Sequence, residues 1–261
     1  MKTAVYLLAA LVLATACAGT KEKKVKYSVL AEKGIKGNVH YIKETAYACD
    51  SAGNIGEMQE CCIVTDEFNE DGNIIRQQIT DRNGKPVMDI TNTLHENGLK
   101  ETLTVSNNGK TVSFVQNYFN DAGRYARQVI RDSANKIQKY YTILEMNDYG
   151  QWVTFIEYDK DSVMVMKEEA KFENNLMLSA RQTDKSGKLL AAYNYEYDDK
   201  GNLAEITVVE FTGNGEKTTV TKDTYEGYDS NGNWLKRTLW DANGKAFKVE
   251  KRAFTYRKQA D

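Results

Sequence analysis

Apolar and polar residues alternate along much of this chain with a period of two. In Ile75/Gln77/Ile79, Leu103/Val105, Val153/Phe155, Ala204/Ile206/Val208 and Leu235/Arg237/Leu239, every second position is the more apolar one. The interleaved positions are polar: Arg76, Thr102, Thr104, Arg127, Thr154, Ser179, Glu205, Thr207, Lys236 and Thr238. That period belongs to a strand with one face packed and the other wetted. The contrast is imperfect, because Gln77, Gln128, Glu157 and Gln182 fall on the inner face, which predicts a thin core. The runs are about seven to ten residues long and rich in Val, Ile, Thr, Tyr and Phe, which is strand length and strand composition.

Between the runs lie two interleaved series of turn signals. In the first, an aromatic or large apolar residue (Phe68, Leu94, Phe119, Met146, Phe172, Tyr197, Tyr228) precedes an Asn/Asp-rich corner. These corners end on Gly72, Gly98, Gly123, Gly150, Asn175, Gly201 and Gly232, which are 26, 25, 27, 25, 26 and 31 residues apart. The second series comprises Asp81–Lys85, Asn107–Lys110, Asp132–Lys136, Asp159–Ser162, Asp184–Lys188, Gly213–Glu216 and Asp241–Lys245. Gly, Asn and Asp recur there because hairpin corners need positive φ, and Asn135 and Asn175 stand where Gly otherwise recurs. Seven units of strand, turn, strand, turn follow, or about fourteen strands, and a sheet that wide curls instead of lying flat. The expected fold is all-β: an antiparallel meander of tandem β-hairpin repeats over residues 37–258, twisted or curled into an open or incomplete barrel-like sheet.

The signature Tyr195-Glu196-Tyr197-Asp198-Asp199-Lys200-Gly201-Asn202-Leu203 is echoed by Tyr225-Glu226-Gly227-Tyr228-Asp229-Ser230-Asn231-Gly232-Asn233-Trp234. It resembles the RHS/YD repeat family, whose members build curling β-hairpin sheets, and the resemblance runs from about Val39 to Tyr256. The chain departs from that family in its longer spacing and in lacking a long shell-forming array and a toxin domain. It looks more like the short YD-repeat lipoproteins of Bacteroidota, with Ile35–Val39 and Glu44–Tyr47 resembling the lead-in to their repeat domain. The resemblance implies a fold and an envelope location; it implies no reaction.

The N-terminus supplies an address. Met1-Lys2, an apolar run from Ala4 to Ala14 and the site Ala14-Thr15-Ala16-Cys17 have the layout of a signal peptide over residues 1–16. Ending on Cys17, the site resembles a bacterial lipobox, although Ala14 stands where a large aliphatic is usual. The alternative is an ordinary secretory peptide with an incidental Cys17. The apolar run is well short of the roughly 20 residues that span a bilayer core. Residues 17–36 then read as a lipidated Cys and a hydrophilic tether, most plainly in Lys21–Lys26. The expected location is the cell envelope, lipid-anchored to the outer membrane on its periplasmic or surface face.

Charge narrows the partners further. Of 261 residues 28% are charged with a formal net charge of -2, no single-sign excess that would recruit nucleic acid. Apart from Cys17, the cysteines are Cys49, Cys61 and Cys62, simplest as one disulfide and one free thiol; a zinc site is the weaker alternative. Acidic corners such as Asn69–Asn73 and Asp229–Asn233 resemble the start of calcium loops but lack the distal Glu, so hairpin geometry explains them and no metal or cofactor is expected.

Tyr125, Trp152, Tyr158, Trp234 and Trp240 recur on one apparent strand face and could form a binding row for sugars or an extended peptide; cross-strand stapling is the simpler reading. With only His40 and His95, no nucleophile elbow and no distinguished carboxylate pair, no catalytic residue is assigned. The expected function is a non-catalytic, envelope-anchored binding or scaffold module contacting protein or glycan. The rival readings are a polysaccharide hydrolase using repeat-borne carboxylates and a structural envelope protein with no soluble ligand.

Overall fold

The computed structural model describes residues 26–213 and 215–258, apart from the side chains of residues 60–62. Cys17 and the signal segment lie outside the described residues. After a four-residue helix, α1 (Val29–Glu32), come sixteen strands: β1 (Val39–Cys49), β2 (Ile55–Phe68), β3 (Ile74–Asp81), β4 (Pro86–Leu94), β5 (Lys100–Asn107), β6 (Lys110–Phe119), β7 (Tyr125–Asp132) and β8 (Ile137–Met146), then β9 (Trp152–Asp159), β10 (Met164–Glu173), β11 (Leu176–Thr183), β12 (Leu189–Tyr197), β13 (Leu203–Thr212), β14 (Gly215–Tyr228), β15 (Trp234–Asp241) and β16 (Ala246–Tyr256). Every strand pairs antiparallel with its sequence neighbour, as the two turn series require.

The sheet is closed, which corrects the expectation of an open or incomplete barrel. β1 pairs with β16 in continuous register from Tyr41–Thr255 to Tyr47–Val249, completing the ring. Closure removes both sheet edges, and with them two rows of unpaired backbone groups. The two strands beyond the expected fourteen are β1 and β2, joined at Asp50-Ser51-Ala52-Gly53-Asn54, a corner that belongs to neither counted series. One of them is the seam strand. The tip of that hairpin folds over the outside of β15 and β16: Ala246 N–H donates to Ser51 O at 3.0 Å, and Thr238 and Val249 beneath it are almost fully buried.

Most corners share one construction. In Asp132–Lys136 the Asn135 N–H donates to Asp132 O, Asp132 N–H to Lys136 O, and Asp132 Oδ1 accepts from the N–H groups of Ala134 and Lys136 at 2.9 Å each. The fourth residue sits at positive φ, as Asn135 (63°) and Ser162 (64°) do where Gly is missing. At the corner after β10 the positive φ belongs to Asn174 (55°), not to Asn175 as the series suggested.

The first-series corners form one rim of the barrel and are tied hand to hand. Asn97 Nδ2 donates to Gly123 O, Arg124 to Met146 O and Asp148, Gln151 to Asn175 O, and Asn233 Nδ2 to Tyr256 Oη. Across this rim lies the segment Tyr27–Lys36, read from sequence as the end of a tether but docked here as a stopper. Tyr27 N–H donates to Asn97 O, Leu30 N–H to Gly72 O, and Lys36 N–H to Asn233 Oδ1, while Asn73 donates to Tyr27 O and Asn175 to Glu32 O. The apolar core sits here: Leu30 with Val39, Ile42, Phe68 and Ile74, and Tyr27 with Leu99, Ile143 and Met146.

Candidate functional site

Strand alternation decides which side chains face inward. The inward positions match the apolar face read from sequence, and the four polar exceptions on it each bond to an inward neighbour. Gln77 donates to Asp66 at 2.7 Å, Gln128 to Asn117 at 2.9 Å and Gln182 to Glu168 at 2.7 Å; Glu157 accepts from Lys139 at 3.3 Å. Pairing in this way gives each of these four side chains a polar partner, so they do not oppose closure; Asn92 Oδ1 and Arg257 Nε are buried without one.

The densest inward network lies beside the seam. Arg237 bonds to both Glu250 and Asp223, Lys248 reaches Glu250 at 2.6 Å, and Arg252 binds Glu44 at 2.7 Å. Burial works against the Glu250 carboxylate, but Lys248 and Arg237 outweigh it and hold its pKa low. Burial dominates at Asp223, whose pKa is raised despite Arg237, and pushes Tyr225 up to about 12 with help from Asp223. The Arg252 guanidinium lies over the Trp234 ring, 3.6 Å from its centroid.

Between the stopper and the corners at Asp198–Asn202 and Tyr228–Asn233 is a cavity of about 600 Å³. It is lined by Lys33, Gly34, Ile35 and Lys36 of the stopper and by Asp199, Lys200, Asn202, Tyr228, Gly232, Asn233, Trp234 and Arg252 of the barrel. Volumes of that order hold small ligands. A second cavity, about 340 Å³, lies beneath Glu32 and is walled by Trp152, Phe155, Glu168, Phe172 and Met177. Burial raises the Glu32 pKa there, against the pull of Lys33 and the Gln151 hydrogen bond.

The five aromatics expected to form one row are divided between the two faces. Tyr125 and Trp152 face inward, edge to face at 6.2 Å, in the cluster under Tyr27. Trp234 is inward and buried against Tyr225 at 5.4 Å. Tyr158 is stacked outward on Tyr140 at 4.8 Å, and Trp240 is outward under Gly53 with its Nε1 donating to Thr224. All five pack against ring or hairpin neighbours, as stapling requires, and only Trp234 reaches the larger cavity.

Cys49 carries a free thiol; Cys61 and Cys62, the other two cysteines of the expected one disulfide and one free thiol, have side chains outside the described residues. Among the described residues no cluster of three His, Cys, Asp or Glu side chains is placed to hold a metal ion. At the two corners that resembled calcium loops, Asp229 Oδ1 accepts from the N–H groups of Asn231 and Asn233, Asn69 Oδ1 accepts from Asn73 N–H, and Asp71 pairs with Lys26. The cavity lysines were missed by sequence reading: Lys33 and Lys36 were assigned to a tether and Lys200 to a hairpin corner. The one available signal was the basic stretch 21–36, with six lysines against two glutamates; the corner at Lys200, which also carries Asp198 and Asp199, gave none.

No protein-family model matches the chain, and no curated protein matches it. Among solved structures, a porin-like protein from Bacteroides uniformis aligns over 83% of this chain and 98% of its own at 10% identity, with a TM-score of 0.53. That likeness shows a shared fold. The Photorhabdus luminescens Tc holotoxin pore aligns with 79% of this chain and 11% of its own at 13% identity, but its TM-score of 0.32 carries no argument. The same holds for an outer membrane lipoprotein-sorting protein domain from Vibrio parahaemolyticus, at 11% identity, coverage of 88% and 90%, and a TM-score of 0.19.

Proposed function

We propose that this chain is a non-catalytic lipoprotein of the cell envelope, anchored through Cys17, whose barrel stands in water as a binding or scaffold module for protein or glycan. The observation that carries this reading is the outward face. Lys43, Arg76, Glu101, Arg127, Glu169, Arg181, Glu196 and Lys222 are all exposed there, on eight different strands. A barrel that spans a bilayer instead needs an outward apolar band about 25 Å tall, and each Lys or Arg at its midplane costs about 2–4 kcal/mol. Among the described residues no helix is long and apolar enough to cross a membrane either.

An envelope address is supported by the signal-like segment ending on Cys17 and by the fold shared with the Bacteroides protein. Membership among short YD-repeat lipoproteins is part of the same proposal. It rests on the Tyr195–Leu203 and Tyr225–Trp234 signatures and on the two-corner repeat.

Fractionation tests the anchor: the native chain should sediment with membranes and resist extraction into salt, whereas Cys17→Ala should be released as soluble barrel. Membrane retention of that variant would sink the claim. A glycan and peptidoglycan panel tests the rest, with binding but no turnover expected. Release of reducing sugar, abolished by one carboxylate substitution, would favour a hydrolase instead.

A further inference from the structure

We propose that the 600 Å³ cavity between the stopper and the barrel rim is a binding site for a small anionic ligand, one carrying a carboxylate or phosphate group. Its lining includes four cationic side chains, Lys33, Lys36, Lys200 and Arg252, against one carboxylate, Asp199. Among the described residues, the ammonium groups of Lys33, Lys36 and Lys200 have no carboxylate within ion-pair distance. Lys200 Nζ instead sits 3.8 Å from the centroid of the Tyr228 ring. Arg252 is fixed in place by Glu44 at 2.7 Å and by the Trp234 face, so it presents a preset charge.

A concave site with an excess of one sign of charge beside aromatic walls concentrates counter-ions, and here the three unpaired lysines outnumber Asp199. It repels metal cations, and a neutral ligand would leave the lysines uncompensated. The neutral polar groups have little to offer a sugar: Asn233 is committed to Lys36 O, Asp229 and Tyr256, and Asn202 to Asp198 and Tyr228. Charge is therefore the discriminating chemistry. Because Lys33 and Lys36 belong to the stopper and Lys200 and Arg252 to the barrel, a bound anion bridges the two and fastens the stopper down. The site depends neither on lipidation at Cys17 nor on which macromolecule the outer surface meets, so its failure would leave those proposals standing.

The test is calorimetric titration of the full chain at low ionic strength with three probes, glucuronate, inorganic phosphate and neutral glucose, each accompanied by a thermal melt. Saturable binding of glucuronate or phosphate is expected, with a raised melting temperature. Affinity should fall at least about tenfold in Lys36→Gln/Lys200→Gln, the equivalent of about 1.4 kcal/mol. Both lysines are exposed, so circular dichroism should stay native, and Lys200→Arg should keep binding. Phosphate alone binding would mean that charge suffices; glucuronate alone would mean that the ring is read as well. Absence of binding by both anions, binding insensitive to the double substitution, or glucose binding as tightly as glucuronate would overturn the proposal.

Discussion

Residues on the inner face were legible in the sequence as a class, and their partners were not. Gln77, Gln128, Glu157 and Gln182 break the apolar alternation, yet each meets a polar residue 11 to 18 positions away on the adjoining strand. Recognising this requires strand register, which alternation alone does not supply. Arg237 is the most exacting case, since it compensates two inward carboxylates. Arg237→Met should cost about 3–5 kcal/mol in denaturant unfolding, because Glu250 would keep a buried charge with one partner fewer. At the corners, Ser162 holds a positive φ that Gly adopts without strain; Ser162→Gly should raise stability by about 0.5–1 kcal/mol, read from the unfolding midpoint. Hydrogen bonds from Asn54 at Asp50 and from Ser186 at Asp184 hold those carboxyl pKa values low. A depressed folded-state pKa contributes stability above the unfolded value near about pH 4 and loses it as pH falls through the folded value. Melting temperature should therefore drop below about pH 4. Asp50→Asn with Asp184→Asn should shallow that slope yet keep the turns, since Asn69, Asn120 and Asn147 already fill the same role.

Among the elements, the strands announced themselves and the stopper did not. Hairpin corners carry Gly, Asn and Asp for a backbone reason, so fourteen strands could be counted from them. Tyr27–Lys36 shows no periodicity beyond a four-residue helix, and its lysines resemble a solvated leader. Its docking depends on contacts with corners scattered from Gly72 to Asn233, which no local pattern encodes. Leu30 is its apolar anchor, and Leu30→Ala should cost about 2–4 kcal/mol in equilibrium unfolding. Gly98 is the complementary probe from the barrel side. It has a φ of 90°, and a Cβ there would lie 2.5 Å from Tyr27 O, so Gly98→Ala should expel the stopper. Faster hydrogen exchange at Tyr27 and Leu30 N–H, with the strands still protected, is the expected readout; unchanged protection would mean that the rim yields instead.

At the scale of the molecule, the antiparallel meander followed from the sequence and its closure did not. The seam joins β1 to β16, positions more than two hundred residues apart, and β1 precedes the first counted corner. Yet the missed corner Asp50-Ser51-Ala52-Gly53-Asn54 begins like the second-series corner at Asp132-Ser133-Ala134, so the extra hairpin was readable even if its pairing partner was not. Lys43 and Ala253 face each other across the seam and are both exposed. Facing Cα atoms in such a ladder are about 4.5–5.5 Å apart, within disulfide reach. Lys43→Cys with Ala253→Cys, in a background where Cys49, Cys61 and Cys62 are Ser, should cross-link within the monomer on mild oxidation. Only intermolecular cross-links, or none, would argue for an open sheet.

The stopper gives the barrel a polarity. If Cys17 is the point of lipid attachment, as proposed, the chain leading to Tyr27 can reach at most about 35 Å, which would hold the corked rim toward the bilayer and the second-series corners away from it. Any pull between membrane and barrel arrives first at Tyr27 and Leu30, before it reaches a strand. On that proposal the leash is tied to the cork and not to the bottle, so a sustained tug would uncork the barrel before tearing its staves apart.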